Sequence, residues 1–149
     1  TVQLRNPQAT RPWQHVLEPL SGYLTLATEL SRNSELHGEP FNFGPPAHHN
    51  DTVLELVQAM SHHWEQVRWE DISTHGEQLY ESGLLKLNCD KALHYLNWQA
   101  ALSFPETVRM TAEWYRSYYE NSSTIREVTL AQISKYETLF SRSKYPNNH

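Results

Sequence analysis

The 149-residue sequence contains a single cysteine, Cys89. One cysteine cannot form an internal disulfide, so a disulfide-stapled secreted domain is excluded, and a reducing, cytoplasmic location is the simpler expectation. Cys89 also stands beside Asp90, whose negative charge disfavours a thiolate. We therefore do not expect nucleophilic catalysis by a cysteine and histidine pair.

Long apolar runs and an excess of basic residues are also missing. No run approaches the roughly 20 apolar residues that a membrane-spanning helix needs, and the first residues do not form a signal peptide. The formal net charge is −5, and the isoelectric point is near 6.0. Because no basic field is available to attract phosphate backbones or anionic lipid, neither nucleic acid nor a membrane is an expected partner.

Two signatures of bound cofactors are absent as well. No Gly-x-x-Gly-x-x-Gly turn follows an opening strand, so the dinucleotide-binding turn is missing. Histidines are plentiful, but His48 and His49, like His62 and His63, are direct neighbours. Neighbouring residues do not converge on one metal ion as residues four apart on a helix do. We predict neither a cofactor-binding residue nor a metal ligand.

What is present indicates one folded domain of mixed α/β class that is mainly helical. The sequence is 38% hydrophobic and contains five Trp and eight Tyr, which argues against disorder. A strand, a helix and a second strand at the start are typical of a parallel sheet. The expected strands are residues 1–4, 11–16, 41–44, 67–72 and 84–87. Helices are expected to begin at Leu17, after Asn50 or Asp51, after Asn88, at Ser103 and at Thr129.

Side-chain patterns predict how these helices start and which face they bury. Ser103 with Glu106, and Thr129 with Gln132, have the spacing of a capping box. The spacing of apolar residues predicts inward faces at three or four residue intervals. The predicted faces are Leu20, Leu24, Ala27 and Leu30; Val53, Val57, Met60 and Trp64; Phe104, Val108, Ala112, Tyr115 and Tyr119; and Leu130, Ile133, Tyr136 and Phe140. The tail, residues 144–149, is expected to be disordered.

The segment from Arg5 to Leu20 carries the best indication of function. Pro7 and Pro12 bias the residues before them towards extended or turn conformations. Arg11 then begins a short strand that leads into a helix, and a planar guanidinium in that place suits a bidentate grip on phosphate oxygens. From chemistry alone, a solvated surface arginine is the alternative.

This segment, Arg-x-Pro-x-Ala-Thr-Arg-Pro-Trp-Gln-His-Val-Leu-Glu-Pro over residues 5–19, resembles the sugar-nucleotide dehydratases of the extended short-chain dehydrogenase/reductase family, and the CDP-glucose 4,6-dehydratases in particular. Residues 85–92 and 96–98 are similar to that family's Leu-x-Leu-Asp-x-x-Lys-Ala and Leu-Gly-Trp motifs. Asn88 and Asn97 replace the family's Asp and Gly, and both replacements conserve the expected cap and left-handed helix stop.

The resemblance implies that residues 1–149 form the C-terminal, substrate-binding portion of a Rossmann-type, NAD-dependent epimerase/dehydratase whose N-terminal, NAD-binding half is absent. None of the eight tyrosines is followed by a lysine four residues later, so the family's Tyr-x-x-x-Lys pair is missing too. The implied enzyme is a cytoplasmic, homo-oligomeric lyase that converts CDP-glucose to CDP-4-keto-6-deoxyglucose with NAD. The 149 residues alone are not expected to be active.

The resemblance also implies four substrate-binding residues and no catalytic one. Arg11 takes the role of contacting the nucleotide diphosphate, and Trp13 lies beside it. Asn42 ends a strand next to the substrate, although satisfying neighbouring backbone is an alternative role. His75 falls in a region that closes over the substrate, although Gly76 and Glu77 depart from the family's His-Glu-Ala motif and a plain loop histidine is the alternative.

Two other functions remain open at this stage. The same fold could hold a nucleotide sugar or a partner without catalysis. A related epimerase or dehydratase that accepts another nucleotide is the nearer alternative, because the residues that recognise the base cannot be assigned from the sequence.

Overall fold

A computed structural model describes residues 1–73 and 84–144 of the chain. Within these ranges the protein is mostly helical and has one small sheet. In chain order the elements are β1 (Val2–Leu4), α1 (Leu17–Leu30), α2 (Val53–His63), β2 (Trp69–Asp71), α3 (Asp90–Leu96), α4 (Phe104–Glu120) and α5 (Ile125–Lys144), with short 3-10 turns at Ser34–Leu36 and Ser122–Thr124. This content is compatible with the predicted mixed α/β class.

The two strands lie parallel, with Val2 opposite Trp69 and Leu4 opposite Asp71. A parallel sheet was predicted, and the strands that form it are β1 and β2. The chain between the strands contains α1 and α2, as parallel strands require a crossover. No described helix is both long and apolar enough to cross a membrane.

Three predicted strands are wrong, because residues 11–16, 41–44 and 84–87 form none. In the first, the Trp13 amide donates to the Arg11 carbonyl over 2.9 Å, which closes a tight turn around Pro12. Proline fixes φ and has no N–H to donate to a ladder, so the segment bends instead of pairing. Directly before this segment, Thr10 forms single bridges with Thr52 and Leu84.

The helix ends follow local capping chemistry. Ser103 and Glu106 form the predicted capping box at α4, and Asn97 ends α3 in the left-handed conformation with φ of 47°. The cap of α2 is Thr52 rather than Asn50 or Asp51, and its box with Glu55 was missed. The cap position of α3 is Cys89, although the Asn88 side chain does accept the Asp90 amide.

The second predicted capping box is wrong. Thr129 lies inside α5, which begins at Ile125, and its hydroxyl donates to the Ile125 carbonyl within the helix. The 3-10 turn Ser122–Thr124 leads into α5 one turn earlier than the pattern indicated. The predicted tail lies outside the described residues, apart from Lys144, the last residue of α5.

The core has two clusters that share Phe140 at their edges. In the first, the Phe43 ring stands edge-on against Trp98, and Gly22 of α1 approaches Phe43 so closely that a Cβ there would collide with the ring. The second contains Leu102, Met110 and Tyr136. These contacts hold α1 against the segments before α3 and α4.

The predicted inward faces are correct only in part. Val57, Val108, Ala112 and Tyr136 are buried, but Leu24 is 72% exposed and Tyr119 is 66% exposed. The buried residues of α1 are Glu18 and Gly22, on the face opposite the apolar stripe. Leu20, Tyr115 and Leu130 are exposed as well.

Candidate functional site

Residues 10–16, which we call the entry segment, lead into α1 and carry Arg11. The Arg11 side chain is half-buried, and its Nη1 donates to the Thr10 carbonyl over 2.8 Å. The bridges of Thr10 to Thr52 and to Leu84 fix the backbone directly before Arg11. The guanidinium therefore stands on a constrained piece of backbone, as a positioning role for a ligand requires.

Two side chains of the entry segment tie it to the segments on either side. Trp13 Nε1 donates to the Asp51 carbonyl over 2.9 Å, and Gln14 Nε2 donates to the Phe43 carbonyl over 3.1 Å. The structure therefore brings Arg11 and residues 41–44 into one region. The Trp13 N–H is committed to the backbone, so only its ring is available to a ligand.

The side-chain amide of Asn42 contacts the backbone just before α3. Its Nδ2 donates to the Asn88 carbonyl over 3.2 Å, and the side chain is exposed. This contact is the backbone-satisfying role that was the alternative for Asn42. His75, the fourth predicted residue, lies outside the described residues.

His15 is a buried residue that the sequence patterns did not single out. It is 6% exposed, and burial lowers the pKa of its imidazole. Nδ1 accepts the Leu17 amide hydrogen over 3.3 Å, so the neutral ring carries its proton on Nε2. The feature of the sequence that could have identified His15 is its position between Arg11 and the start of α1.

A cleft of about 430 Å³ opens between the entry segment, α4 and α5, and we call it the α4–α5 cleft. Gln14, His15 and Leu17 line one side, and Trp114, Tyr115 and Gln132 line the other. Gln14 Oε1 is buried and has no hydrogen-bond partner among the described residues. The sequence patterns placed Leu17, Tyr115 and Gln132 in helices, but they predicted none of these residues to bind a ligand.

A second cleft of about 450 Å³ lies beside Asn88 and Cys89, with Pro45 and Pro46 on its wall. Lys86 Nζ donates to the Ala47 carbonyl over 2.9 Å at its rim. Burial raises the pKa of the Cys89 thiol, whose Sγ lies 3.8 Å from the Gly44 carbonyl oxygen. A thiol in that state is a poor nucleophile at neutral pH.

No metal centre is formed by the part of the chain that the structure describes, where His, Cys, Asp and Glu side chains nowhere gather in groups of three or more suited to a metal ion. His48 and His49 stack edge to face with each other, with their ring centres 4.6 Å apart. The entry segment, which is anchored at Trp13 and Gln14, and the α4–α5 cleft beside it are suited to holding a ligand.

No family model matches the chain. Over 119 residues the chain is 37% identical to the CDP-glucose 4,6-dehydratase of Salmonella typhimurium. The chain is related to CDP-glucose 4,6-dehydratase. The alignment covers 78% of this chain and 32% of the relative, so the chain spans about a third of that protein's length. The predicted resemblance to the CDP-glucose 4,6-dehydratases is confirmed.

Proposed function

We propose that the chain is the C-terminal, nucleotide-sugar-binding portion of a lyase that converts CDP-glucose to CDP-4-keto-6-deoxyglucose. The observation that carries this proposal is the 37% identity to a CDP-glucose 4,6-dehydratase over 119 residues. Because the chain spans only a third of that relative, the activity belongs to a longer protein. In this proposal the longer protein is a cytoplasmic homo-oligomer with a Rossmann-type fold, and the 149 residues alone are inactive.

Arg11 is the residue that we propose contacts the substrate diphosphate. Its support is the Arg-Pro-Trp-Gln-His-Val run and the anchoring of the entry segment through Trp13 and Gln14. Hydrogen bonds from a guanidinium to phosphate are charge-assisted and are stronger than neutral ones. We propose that three further residues contact the substrate. They are Trp13 through its ring, Asn42 through its side-chain oxygen Oδ1, and His75.

The described residues do not fit NAD. β1 runs into Arg5, Asn6 and Pro7, where the Asn6 carbonyl accepts the Ala9 amide, and not into a glycine-rich turn that opens a helix. We therefore propose that NAD binds to another part of the longer protein. This portion has the roles of binding and orienting the nucleotide sugar, and we assign no catalytic residue to it.

A fusion protein tests the proposal. Residues 1–149 would replace the corresponding third of the Salmonella relative, and formation of the 4-keto sugar would be followed by NMR with CDP-glucose, UDP-glucose and dTDP-glucose. We expect CDP-glucose to be converted in preference to the other two. The unaltered relative is the control for the assay, and NAD binding by the fusion is the control for assembly.

The other outcomes separate the alternatives. Preferred conversion of another nucleotide sugar would make the chain part of a related dehydratase. Binding of CDP-glucose without conversion, in a fusion that binds NAD normally, would favour a non-catalytic binding module. A fusion that binds NAD but no nucleotide sugar would overturn the proposal.

A further inference from the structure

The entry segment is held by different parts of the fold along its length. In its middle, the Trp13 and Gln14 side chains anchor it to main-chain carbonyls of distant loops. At its end, the Glu18 amide donates to the His15 carbonyl over 3.0 Å, and this bond joins the segment to the first turn of α1. The placement of that first turn therefore helps to decide where the entry segment lies.

The Glu18 side chain attaches the first turn of α1 to two further parts of the chain. Oε1 accepts the amide hydrogens of Ala101 and Leu102, which directly precede α4, and Oε2 accepts the hydroxyl hydrogen of Tyr136 in α5. Glu18 is buried, so water does not compete for these bonds. Three hydrogen bonds from two separate elements thus hold one side chain in a single place.

A serine in the next turn of α1 gives this network a second possible arrangement of hydrogens. Ser21 Oγ lies 2.8 Å from the Tyr136 hydroxyl oxygen, accepts the Trp98 indole hydrogen and donates its own hydrogen to the Glu18 carbonyl. Tyr136 can therefore donate to Ser21 instead, provided that the side chain of residue 18 donates to Tyr136 in return. The amide of Glu18→Gln meets this condition. The network depends on the length of the side chain and not on its charge.

We propose that Glu18 is a positioning residue of the nucleotide-sugar site, which holds the entry segment where Arg11 can contact the substrate diphosphate. The inference rests on the proposed function, in which Arg11 makes that contact. Glu18 acts through Arg11, since its own hydrogen bonds go to protein groups. A misplacement of about 1 Å in a site can cost roughly a hundredfold, so a small shift of the entry segment is enough to weaken the contact.

Variants of Glu18 separate side-chain length from charge. Glu18→Gln keeps the length and an acceptor for the two amides, whereas Glu18→Asp keeps the charge but is one methylene shorter. In calorimetric titrations of the fusion protein, we expect CDP-glucose to bind Glu18→Gln nearly as tightly as wild type. Glu18→Asp and Glu18→Ala should bind CDP-glucose roughly tenfold more weakly and bind NAD normally. The reverse order, with Glu18→Asp tight and Glu18→Gln weak, would overturn the proposal.

A double-mutant cycle tests whether Glu18 acts through Arg11. In Arg11→Ala the positioned group is gone, so adding Glu18→Asp should not weaken CDP-glucose binding further. Additive losses, or an Arg11→Ala variant that binds like wild type, would overturn the proposal. Val108→Ala truncates a buried side chain of α4 and is the control for general destabilisation. It should lower the melting temperature and leave the affinity for CDP-glucose unchanged.

A measurement without substrate separates this proposal from the proposed function. In NMR spectra of the 149-residue chain, Glu18→Asp should shift the main-chain amide signals of residues 10–14, and Glu18→Gln should shift them much less. If these signals do not respond, the positioning role fails whatever the fusion binds. If they respond but the fusion binds no nucleotide sugar, the proposed function fails and the role of Glu18 in holding the entry segment stands. If CDP-glucose binding depends on Arg11 but not on Glu18, the positioning role fails and the proposed function stands.

Discussion

Tyr136 donates its hydroxyl hydrogen to Glu18 Oε2 over 2.7 Å, although the two residues are 118 positions apart in the sequence. The other carboxylate oxygen, Oε1, accepts the main-chain hydrogens of Ala101 and Leu102 at 2.9 and 2.7 Å. Glu18 is only 1% exposed. The Glu18 carboxylate therefore connects α1 both to α5 and to the segment that precedes α4. These bonds also fix the backbone at the end of the entry segment.

Truncating this carboxylate should destabilise the fold strongly. Glu18→Ala leaves the Ala101 and Leu102 amides and the Tyr136 hydroxyl without this acceptor, and an unsatisfied buried polar group costs about 1–3 kcal/mol. Glu18→Gln retains a side-chain oxygen that can accept from the two amides. Its loss in free energy of unfolding should be less than half of that in Glu18→Ala. Denaturant unfolding of the three proteins measures the difference. Equal loss in both variants would mean that the hydrogen bonds to Oε1 do not stabilise the fold.

The same residue predicts how stability depends on pH. Burial raises the pKa of Glu18, against the opposing effect of its hydrogen bonds from Tyr136 and the two amides. A raised pKa favours the protonated form in the folded state, so the resulting stability is present below the ordinary value of about 4.5 and is lost as the pH rises through the folded pKa.

Glu18→Gln provides the comparison for that prediction. The free energy of unfolding of wild type minus that of Glu18→Gln should fall as the pH rises from about 4.5, because only wild type has a carboxyl group that must ionise at this buried position. Glu55 and Glu106, whose pKa is lowered by hydrogen bonds to Thr52 and Ser103, act in the opposite direction but are present in both proteins. If this difference increased with pH, burial would not be what sets the pKa of Glu18 in the folded protein.

The parts of the fold that the sequence predicted are those encoded within a few residues. The Ser103 box and the left-handed stop at Asn97 depend on side chains and backbone in the same turn. The buried face of α1 could not be predicted, because Glu18 is buried by partners more than 80 residues away. Leu20 and Leu24 of the apolar stripe instead face outward, whereas Leu30 packs against the first core cluster.

The candidate site followed the same division. Motifs drew attention to the entry segment, and the structure shows its anchors at Asp51 and Phe43, which no pattern encoded. The expected strand from Arg11 failed because Pro12 favours a local turn over a ladder. His15 and Gln132 meet in one cleft only because α5 packs back against the start of α1, a contact between distant parts of the chain.

The capping box at α4 should contribute measurably to stability. Ser103 Oγ accepts the Glu106 amide hydrogen, and Glu106 Oε2 accepts the Ser103 amide hydrogen over 2.8 Å. Ser103→Ala should cost roughly 0.5–2 kcal/mol in the free energy of unfolding. Ser61→Ala, at a half-buried serine near the end of α2 that forms no capping box, is the control and should change the free energy of unfolding little. Identical unfolding midpoints for wild type and Ser103→Ala would show that the box adds nothing.

Gly22 should not tolerate a methyl group while Phe43 is present. A Cβ at position 22 would overlap the Phe43 ring, which is held edge-on to Trp98 with ring centres 4.9 Å apart. Gly22→Ala should therefore destabilise the protein by about 1–3 kcal/mol, the usual cost of overpacking. Adding Phe43→Leu should relieve the collision, so the double variant should be more stable than additivity of the single effects requires. Strict additivity in thermal unfolding would exclude the collision.

The prediction that decides the function concerns Arg11. If its guanidinium holds the substrate diphosphate, Arg11→Lys should already weaken binding, because an ammonium cannot form two parallel N–H bonds to phosphate oxygens. Arg11→Ala should lose about 1.5–3 kcal/mol, or roughly tenfold to hundredfold in affinity for CDP-glucose. Calorimetric titration of CDP-glucose, CDP and NAD against the fusion protein measures these affinities. Arg32→Ala, at an exposed arginine after α1, is the matched control.

NAD affinity should be unchanged in every variant, since NAD is proposed to bind elsewhere. Undiminished affinity of Arg11→Ala for CDP-glucose would make Arg11 an ordinary surface arginine and would remove the diphosphate contact from the proposed site.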